Sequence, residues 1–485
     1  MDLKGLVLVG GACVGVAGGG AVAAGVVVNT PKNAFAIAMS SAIKDVTERE
    51  EVKYFTDVLS GGSLGFSFQG IEDKNGNSLT GDVSAEGKLY FAKNAIAAED
   101  ITISAEGMEL SASIYASEKE VVIEEYDILG GAYGIEFDTL LEDLENSIFA
   151  PGESQYSMPS EAYDIIVDTL ENMKSSDNKE MAKDAKKLAE TVAKDAWKIV
   201  TDNASFNSYD ERDLRRIEMY VGTYELEGII TDSWDYLYES KDLKSFMEKY
   251  NDKFISIYEL ATQEEFEERY FSDWFYDLLD EVDIDEAIDD MYEYFTNIQV
   301  NVYTPKLLPH LVEMDVLVGG EEIISIDVGE KGIKKTDEIT ITYADSLEMT
   351  YSFVNDKNQL AVSLSVDAED YGGNYVEIEL EADKKSESYE LTVMHEAHYG
   401  AETTQIGVEG QMATKGKTTT MTIEEVSLET TSEYGSSYEQ TYYVDCELVI
   451  STSDKMPEAP SYEKISDITE SDIEEIIENI NNFGK

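Results

Sequence analysis

The spacing of apolar side chains divides the chain into helical and extended segments. From Phe35 to Leu59 they recur every three or four residues, which predicts a helix. From Gly62 to about Phe137 they alternate with polar residues, which predicts an antiparallel meander with one buried face. Helical spacing returns over about 160–200 and 232–298, and between them Ile217, Met219 and Val221 alternate and predict a strand. Alternation resumes after Pro305, for example from Leu360 to Val366, and continues to about Ser451.

The order of these segments predicts an α+β fold. We expect a large twisted antiparallel β-sheet, built from the N- and C-terminal meanders, with a helical insertion packed on its concave face, because neither meander supplies a second layer of its own. Two separate β domains joined by a helical spacer are the alternative. The predicted divisions are residues 1–30 as signal anchor or signal peptide, 31–150 as N-terminal helix and meander, 151–300 as mainly helical insertion, 301–455 as C-terminal antiparallel meander, and 456–485 as linker and short C-terminal helix.

An uncharged run near the start of the chain determines the predicted compartment. Residues Leu6 to Val28 carry no charge, and a helix of this length, at about 1.5 Å per residue, crosses a hydrocarbon core of about 30 Å. A signal anchor is therefore favoured over a signal peptide cleaved near Ala21-Val22-Ala23 and over a lipid anchor at Cys13. Lys4 precedes the run and an acidic chain follows it, so the positive-inside rule places the bulk of the protein outside the cell.

The charge of the chain argues against several classes of partner. The formal net charge is −65, from 101 acidic and 36 basic residues in 485. This balance argues against nucleic acid, whose phosphates require Lys and Arg, and against charge-driven binding to anionic lipid headgroups. Cys446 is the one cysteine outside the apolar run, so a disulfide within a single ectodomain is excluded.

No motif assigns a catalytic residue, a metal or a cofactor. In "MHEAHYG", His395 and His398 are three apart in a predicted strand and point to opposite faces, and the position of His395 in the alternation predicts a core histidine. In "DKNGNSLTGDVS", Asp73, Asn75 and Asn77 have calcium-loop spacing, but the glycine and the closing glutamate are missing, which favours a hairpin turn. A pair of carboxylates could support hydrolysis, but the sequence does not select two among 101 acidic residues.

An aromatic stripe supplies the candidate ligand site. In the second half of the helical insertion, aromatic side chains recur at helical spacing. Such a stripe forms either the core of the helices or an apolar groove, between helices and sheet, that holds a lipid-like ligand. The candidate groove residues are Phe266, Tyr270, Phe271, Trp274 and Phe275.

Segments at both ends of the chain carry a resemblance. "GGAYGIEFDTLLEDLENSIFAPGESQYSMP", the apolar run, "NTPKNAFAIAMSSAIKD" and "DITESDIEEIIENI" together resemble a family of uncharacterised membrane-anchored surface proteins of Gram-positive anaerobes. This resemblance implies a tethered surface location and brings no activity or catalytic residue with it. More remotely, the predicted architecture resembles the bacterial lipoprotein-carrier half-barrel fold, which implies that acyl chains bind on the sheet face covered by helices.

Together, these observations predict a non-catalytic, extracytoplasmic, membrane-tethered binding protein. Its expected partners are a hydrophobic or lipid-like ligand, or a cell-surface protein, and its N-terminal segment is expected in the membrane. The expected location is the cell membrane, with the ectodomain outside the cell, or secretion if the signal is cleaved. An envelope hydrolase that uses carboxylates and a structural or adhesive surface protein are the alternatives.

Overall fold

The computed structural model describes most of the chain beyond the predicted signal anchor, which lies outside the described residues except for Thr30. The described residues are 30–152, 154–163, 166–167, 177–262, 266, 268–306, 310–344, 346–368, 373–397, 402–432 and 437–483. No helix in these ranges is both long and apolar enough to cross a membrane. Two compact units are distinguished: unit 1 holds the described residues of Met1–Arg49 and Ser175–Met349, and unit 2 holds those of Glu50–Lys174 and Thr350–Lys485.

The regular elements follow the predicted alternation of helical and extended segments. The helices are α1 (Pro31–Thr47), α2 (Glu50–Gly61), α3 (Leu140–Glu145), α4 (Asp177–Asn203), α5 (Thr223–Glu239), α6 (Lys241–Lys249), α7 (Asn251–Thr262), α8 (Phe271–Asp280), α9 (Ile284–Tyr294) and α10 (Glu470–Asn482). The strands up to the middle of the chain are β1 (Ser63–Asp73), β2 (Ser84–Ala92), β3 (Ala95–Ala105), β4 (Met108–Ser117), β5 (Glu120–Glu125), β6 (Gly131–Glu136), β7 (Ser205–Glu211), β8 (Leu214–Val221), β9 (Ile298–Pro305) and β10 (Glu313–Val318). The remaining strands are β11 (Glu321–Asp327), β12 (Glu338–Tyr343), β13 (Leu347–Asn355), β14 (Gln359–Ala368), β15 (Asn374–Asp383), β16 (Ser388–Ala397), β17 (Glu402–Lys415), β18 (Thr418–Ser432), β19 (Ser437–Ser451) and β20 (Glu463–Lys464).

Unit 1 is built on an antiparallel sheet in which β7 to β12 pair in chain order. One face of this sheet is apolar, and its residues Ile217 and Val302 are fully buried. Helix α1 packs on this face through Phe35, which is also fully buried. The Phe35 ring lies 6.3 Å from the Trp197 ring of α4 and 5.7 Å from the Phe206 ring of β7, measured between centroids. The core of unit 1 therefore lies between α1, the end of α4 and the sheet.

The helix that the sequence predicts from Phe35 to Leu59 is interrupted at Arg49. The Arg49 side chain is 5% exposed, and its guanidinium donates hydrogen bonds to the carbonyl oxygens of Ile333 at 2.5 Å and Thr336 at 3.3 Å. A buried charge is tolerated only when it is hydrogen-bonded, so these bonds fix the backbone at this point. The helix accordingly ends before Arg49 and a second helix begins after it, and the prediction of one continuous helix is wrong.

Replacing Phe35 with alanine tests the core of unit 1. The change leaves a cavity beside α1 and is expected to lower the free energy of unfolding by about 3–5 kcal/mol. Ile43→Ala, on the same helix but 36% exposed, is expected to cost about 1 kcal/mol or less. Urea unfolding followed by tryptophan fluorescence measures both variants. Equal losses would contradict this placement of the core.

Unit 2 joins the predicted N-terminal meander and the later strands of the predicted C-terminal meander in one antiparallel sheet, whereas β10 to β12 belong to unit 1. The strand order is β6-β5-β4-β3-β2-β1-β19-β18-β17-β16-β15-β14, and the short β20 runs parallel to β6 at one edge. The two meanders meet where β1 pairs with β19, from Ser63 opposite Ser451 to Asp73 opposite Tyr442. The prediction of an α+β fold with a large antiparallel sheet is confirmed.

A carboxylate holds together the strand ends where the two meanders meet. Asp454 accepts hydrogen bonds from Ser63 Oγ at 2.7 Å and from Ser451 Oγ at 2.9 Å, and Lys88 Nζ of β2 lies 2.7 Å away. The Lys88 ammonium is the largest cause that lowers the pKa of Asp454 to about 2, and the two serines add to it. Ser63 and Ser451 are both almost fully buried, so the cluster ties β1, β2 and the end of β19 to one point.

The Asp454 cluster predicts a pH-dependent stability of unit 2. The folded-state pKa of about 2 lies below the unfolded value of about 3.9, so the stabilisation is present above about pH 4 and is lost as the pH falls towards 2. Solvent screening of this partly exposed group reduces the contribution to about 1–2 kcal/mol. Asp454→Asn should therefore lower the free energy of unfolding at pH 7, and its difference from wild type should shrink between pH 4 and pH 2 in urea titrations. Asp82→Asn, at an exposed loop position, is the control, and a pH-independent effect of Asp454→Asn would contradict the assignment.

Candidate functional site

The two faces of the unit 2 sheet differ in polarity. Side chains alternate across each strand, so the pairing registers define which residues share a face. From β14 to β18, two rows of cross-strand neighbours are entirely apolar and lie on the same face, which we call the apolar face. The first row is Val362, Leu380, Leu391, Val408 and Val426, and the second is Leu364, Ile378, Val393, Ile406 and Leu428. Between these rows the opposite face carries polar or small residues, namely Ser363, Glu379, Thr392, Gly407 and Ser427.

The apolar face continues across the N-terminal meander. Phe66 of β1 lies in register with Leu448 of β19, and β3 to β6 carry further apolar residues on the same face. Five isoleucines of this region expose between 37% and 52% of their surface, and we call them the isoleucine ladder. Its members are Ile96, Ile103, Ile114, Ile123 and Ile135.

The opposite face of β3 to β6 is covered, although it is the more polar one. The residues buried there are Ala97, Tyr115 and Val122, and the segment that follows β19 packs against them through Met456, Ala459 and Tyr462. The Tyr462 hydroxyl donates to Glu120 Oε2 at 2.9 Å. A Cβ on Gly134 would lie 2.5 Å from the Tyr462 ring, which explains why glycine occupies that position of β6. The C-terminal segment thus covers one face, and the isoleucine ladder on the other face stays exposed.

Helix α2 lies across part of the apolar face. Tyr351 Oη of β13 donates to Glu51 Oε1 of this helix at 3.1 Å, and Tyr54 Oη donates to Thr419 Oγ1 of β18 at 3.4 Å. Val58 is 8% exposed where α2 reaches β2. The isoleucine ladder begins on β3, beyond the last strand with which α2 makes extensive contact.

The isoleucine ladder has the dimensions and chemistry of a surface that binds an apolar chain. From Ile96 to Ile103 along β3 it is about 23 Å long at 3.3 Å per residue, and across β3 to β6 it spans four strands about 4.8 Å apart. Extended exposed apolar patches are uncommon on soluble proteins and mark interaction surfaces or ligand grooves. Because the ladder contains no titratable group, it can contribute apolar contact but no acid–base or nucleophilic chemistry.

The five residues predicted to line a groove lie in the helical part of unit 1. Phe266, Phe271 and Trp274 are in mutual contact, with ring centroids 5.0 to 6.1 Å apart, and rings of α7 extend this cluster. Tyr270 is 40% exposed, and Phe275 contacts the tyrosine that follows it. These rings pack among α6, α7 and α8, and none of the five is fully buried. Their role in ligand binding stays a prediction.

A titratable cluster that the sequence did not reveal lies on the polar face of the unit 1 sheet. Asp315 of β10 is 5% exposed and accepts a hydrogen bond from Ser325 Oγ at 3.3 Å. Burial raises the pKa of Asp315 and of Glu313, and it raises the pKa of Tyr303 on the neighbouring strand to about 12. Glu313 and Asp315 are two residues apart on one face of β10, so their carboxyl groups lie on the same side of the sheet, as a hydrolytic pair requires. This carboxylate pair is the one that best fits the hydrolase alternative.

The candidate metal-binding sequences form other structures. In the described ranges, no group of three or more His, Cys, Asp or Glu residues is arranged to hold a metal ion. Asp73 instead closes a hairpin turn, because its carboxylate accepts hydrogen bonds from Asn75 and Asn77. These hydrogen bonds lower the pKa of Asp73 to about 2. His395 is exposed on β16, so the prediction of a core histidine is wrong, whereas His398 lies outside the described residues. The alternation placed His395 on the apolar face correctly, but this part of the face is not buried.

Neither protein-family models nor curated proteins match this chain. The assignment of a site therefore depends on the geometry alone. The isoleucine ladder is visible in the sequence as part of the alternation of apolar and polar residues from residue 96 to residue 135. Such alternation ordinarily predicts that the apolar face is buried. What the sequence does not contain is the information that the C-terminal segment packs on the opposite face.

Two matched substitutions test which face of β3 to β6 is covered. Ile114→Thr changes a ladder residue that is 43% exposed and is expected to lower the free energy of unfolding by about 1 kcal/mol or less. Val122→Thr buries an unpaired hydroxyl at a fully buried position of nearly the same volume and should cost about 1–3 kcal/mol. Urea denaturation of the two variants gives the comparison. A larger loss for Ile114→Thr than for Val122→Thr would mean that the ladder is core.

Proposed function

We propose that the protein is a non-catalytic, extracytoplasmic, membrane-tethered binding protein that holds a hydrophobic or lipid-like ligand on the apolar face of unit 2. The isoleucine ladder carries this proposal, because its five side chains stay exposed while the opposite face of the same strands is covered. An apolar ligand on the ladder would remove this surface from water, at about 25 cal/mol for each Å². Covering the ladder with such a ligand is therefore stabilising.

The location of the ligand in this proposal differs from the one that the sequence suggested. The prediction placed a groove between the sheet and the helical insertion, with aromatic residues of the insertion as its lining. We now place the ligand on the unit 2 sheet beside α2, which lies across the same apolar face. The remote resemblance to the lipoprotein-carrier half-barrel supports this arrangement, since that fold holds acyl chains on a sheet face beside helices.

The tether and the compartment are proposed on the sequence. The uncharged run from Leu6 to Val28, the basic Lys4 before it and the acidic chain after it support a signal anchor with the ectodomain outside the cell. A protein in that position can take up an amphiphile at the membrane surface without dissociating from the membrane.

A hydrolase that uses Glu313 and Asp315 is the second candidate, and the raised pKa of both carboxyl groups favours it over any other pair on the unit 1 sheet.

Photo-cross-linking measures the proposed binding directly. The full chain in nanodiscs of zwitterionic lipid is irradiated with an uncharged long-chain alcohol that carries a diazirine, and the labelled fraction is read from the intact mass. The labelled fraction of wild type should rise with probe concentration and reach a plateau, as expected for a saturable site. The double variant Ile114→Asp, Ile123→Asp should lose at least about fivefold in labelling, because two charges in the ladder would each need desolvation.

The control is chosen to separate the two candidate surfaces. Trp274→Asp changes the aromatic cluster of unit 1 and leaves the ladder untouched, so its labelling should equal that of wild type. The circular dichroism of all variants verifies that they fold. Loss of labelling in Trp274→Asp, with retention in the ladder variant, would overturn the proposed location in favour of the aromatic groove.

A further inference from the structure

The hairpin turns of unit 2 separate into two ends of the sheet. Ser63 is in register with Tyr90 and with Ser451, so β1 begins at the end where β2 and β19 finish. Because successive antiparallel strands reverse direction, the turns β2–β3, β4–β5, β13–β14, β15–β16 and β17–β18 all lie at this end. We call it the lysine end, because each of these five turns contains lysine. The residues in the turns are Lys93, Lys119, Lys357, Lys384, Lys385 and Lys417, and Lys415 ends β17 beside the last of these turns.

The described turns at the opposite end have a different charge. The β3–β4 turn contains Glu106, and the β5–β6 turn contains Asp127 next to Glu125. Lys74, in the β1–β2 connection, is the exception and lies beside Asp73. The apolar face of unit 2 thus runs between one end with lysine in every hairpin turn and another end where carboxylates predominate among the described turns.

Two lysines stand at the lysine end of the isoleucine ladder. Lys93 is in the turn that leads to Ile96, and Lys119 is in the turn that leads to Val121, the cross-strand partner of Ile135. The two turns are separated by two strand spacings, about 10 Å, which lies within the combined reach of two extended lysine side chains. Both lysines are exposed, and neither forms an ion pair with any residue that the structure describes.

Two of the nearby carboxylates, those of Glu120 and Glu136, interact with other residues. Glu120 accepts the hydrogen bond from Tyr462, and Glu136 forms a salt bridge with Lys464 at 2.7 Å; both lie on the covered face of the sheet. Glu118 is the one carboxylate within the two turns themselves. Two ammonium groups and one carboxylate therefore lie within the two turns at this end of the ladder, in a chain whose net charge is −65.

We propose that Lys93 and Lys119 together bind the anionic headgroup, a phosphate or a carboxylate, of an amphiphile whose apolar chain lies along the isoleucine ladder. This inference rests on the proposed function, since it specifies the ligand class of the same surface. An anion between the two ammonium groups is attracted by both, whereas Glu106 and Glu125 at the other end would repel it, so the ligand has one orientation. The net charge still argues against adsorption to an anionic bilayer, and the inference concerns a single headgroup.

A headgroup series with one common chain tests the inference. The full chain in zwitterionic nanodiscs is cross-linked with three diazirine amphiphiles that end in a phosphate, a hydroxyl or a trimethylammonium group. We expect apparent affinity for the phosphate to exceed that for the hydroxyl by about tenfold at low salt, and the difference to shrink as salt is raised. The trimethylammonium probe should bind no better than the hydroxyl probe.

Matched variants assign the preference to the two lysines. The double variant Lys93→Gln, Lys119→Gln should reduce the preference for phosphate to about twofold or less, while labelling by the hydroxyl probe is unchanged. Lys74→Gln, at the opposite end of the sheet, should behave as wild type. A preference that survives the double variant would overturn the inference.

The remaining outcomes distinguish the inference from the proposed function. If the three probes label wild type equally, and Ile114→Asp, Ile123→Asp abolishes that labelling, then the ladder binds chains but the headgroup assignment is wrong. If no probe labels wild type, both the proposed function and the inference fail. If an equal concentration of inorganic phosphate removes the preference, the lysines form a site for free phosphate and the amphiphile is overturned as its ligand.

Discussion

The pairing of β1 with β19 is the constraint on which the rest of unit 2 depends. These strands come from opposite halves of the sequence, and their ladder from Ser63–Ser451 to Asp73–Tyr442 makes one sheet out of two meanders. Asp454 reinforces the junction through Ser63, Ser451 and Lys88. Without this pairing, each meander would present a separate and smaller apolar surface.

A continuous sheet produces a continuous apolar face, and this face is only partly covered. Helix α2 crosses it with Tyr54 and Val58, and it makes extensive contact with β2. The C-terminal segment does not cover the isoleucine ladder, because it packs through Tyr462 on the opposite face of the same strands. Leaving several isoleucines about half-exposed costs hydrophobic stabilisation, and such a surface is expected where a protein binds an apolar partner.

Much of the local structure could be predicted from the sequence, because strand and helix periods are local properties. The alternation of Ile217, Met219 and Val221 predicted β8, and the alternation from Leu360 to Val366 predicted β14. The break at Arg49 was missed, because it depends on carbonyl groups of Ile333 and Thr336 that are distant in the sequence. Local periodicity contains no information about such partners.

The candidate site was harder to predict for the same reason. The sequence showed aromatic rings at helical spacing in α8, and a stripe of large apolar rings is a natural candidate for a ligand groove. The structure places three of them against one another, whereas the ladder consists of single isoleucines from four strands that only the pairing registers bring together. The charge of the lysine end, likewise, is visible only once the direction of each strand is known.

On the proposed function, the apolar face of unit 2 holds an apolar ligand. Native mass spectrometry of the full chain, released from a mild neutral detergent and followed by solvent extraction, tests it most directly. Wild type and Trp274→Asp should retain a stoichiometric acyl-chain compound, which should be absent from Ile114→Asp, Ile123→Asp. A ligand-free mass for wild type, with no shift when amphiphiles are added, would contradict it.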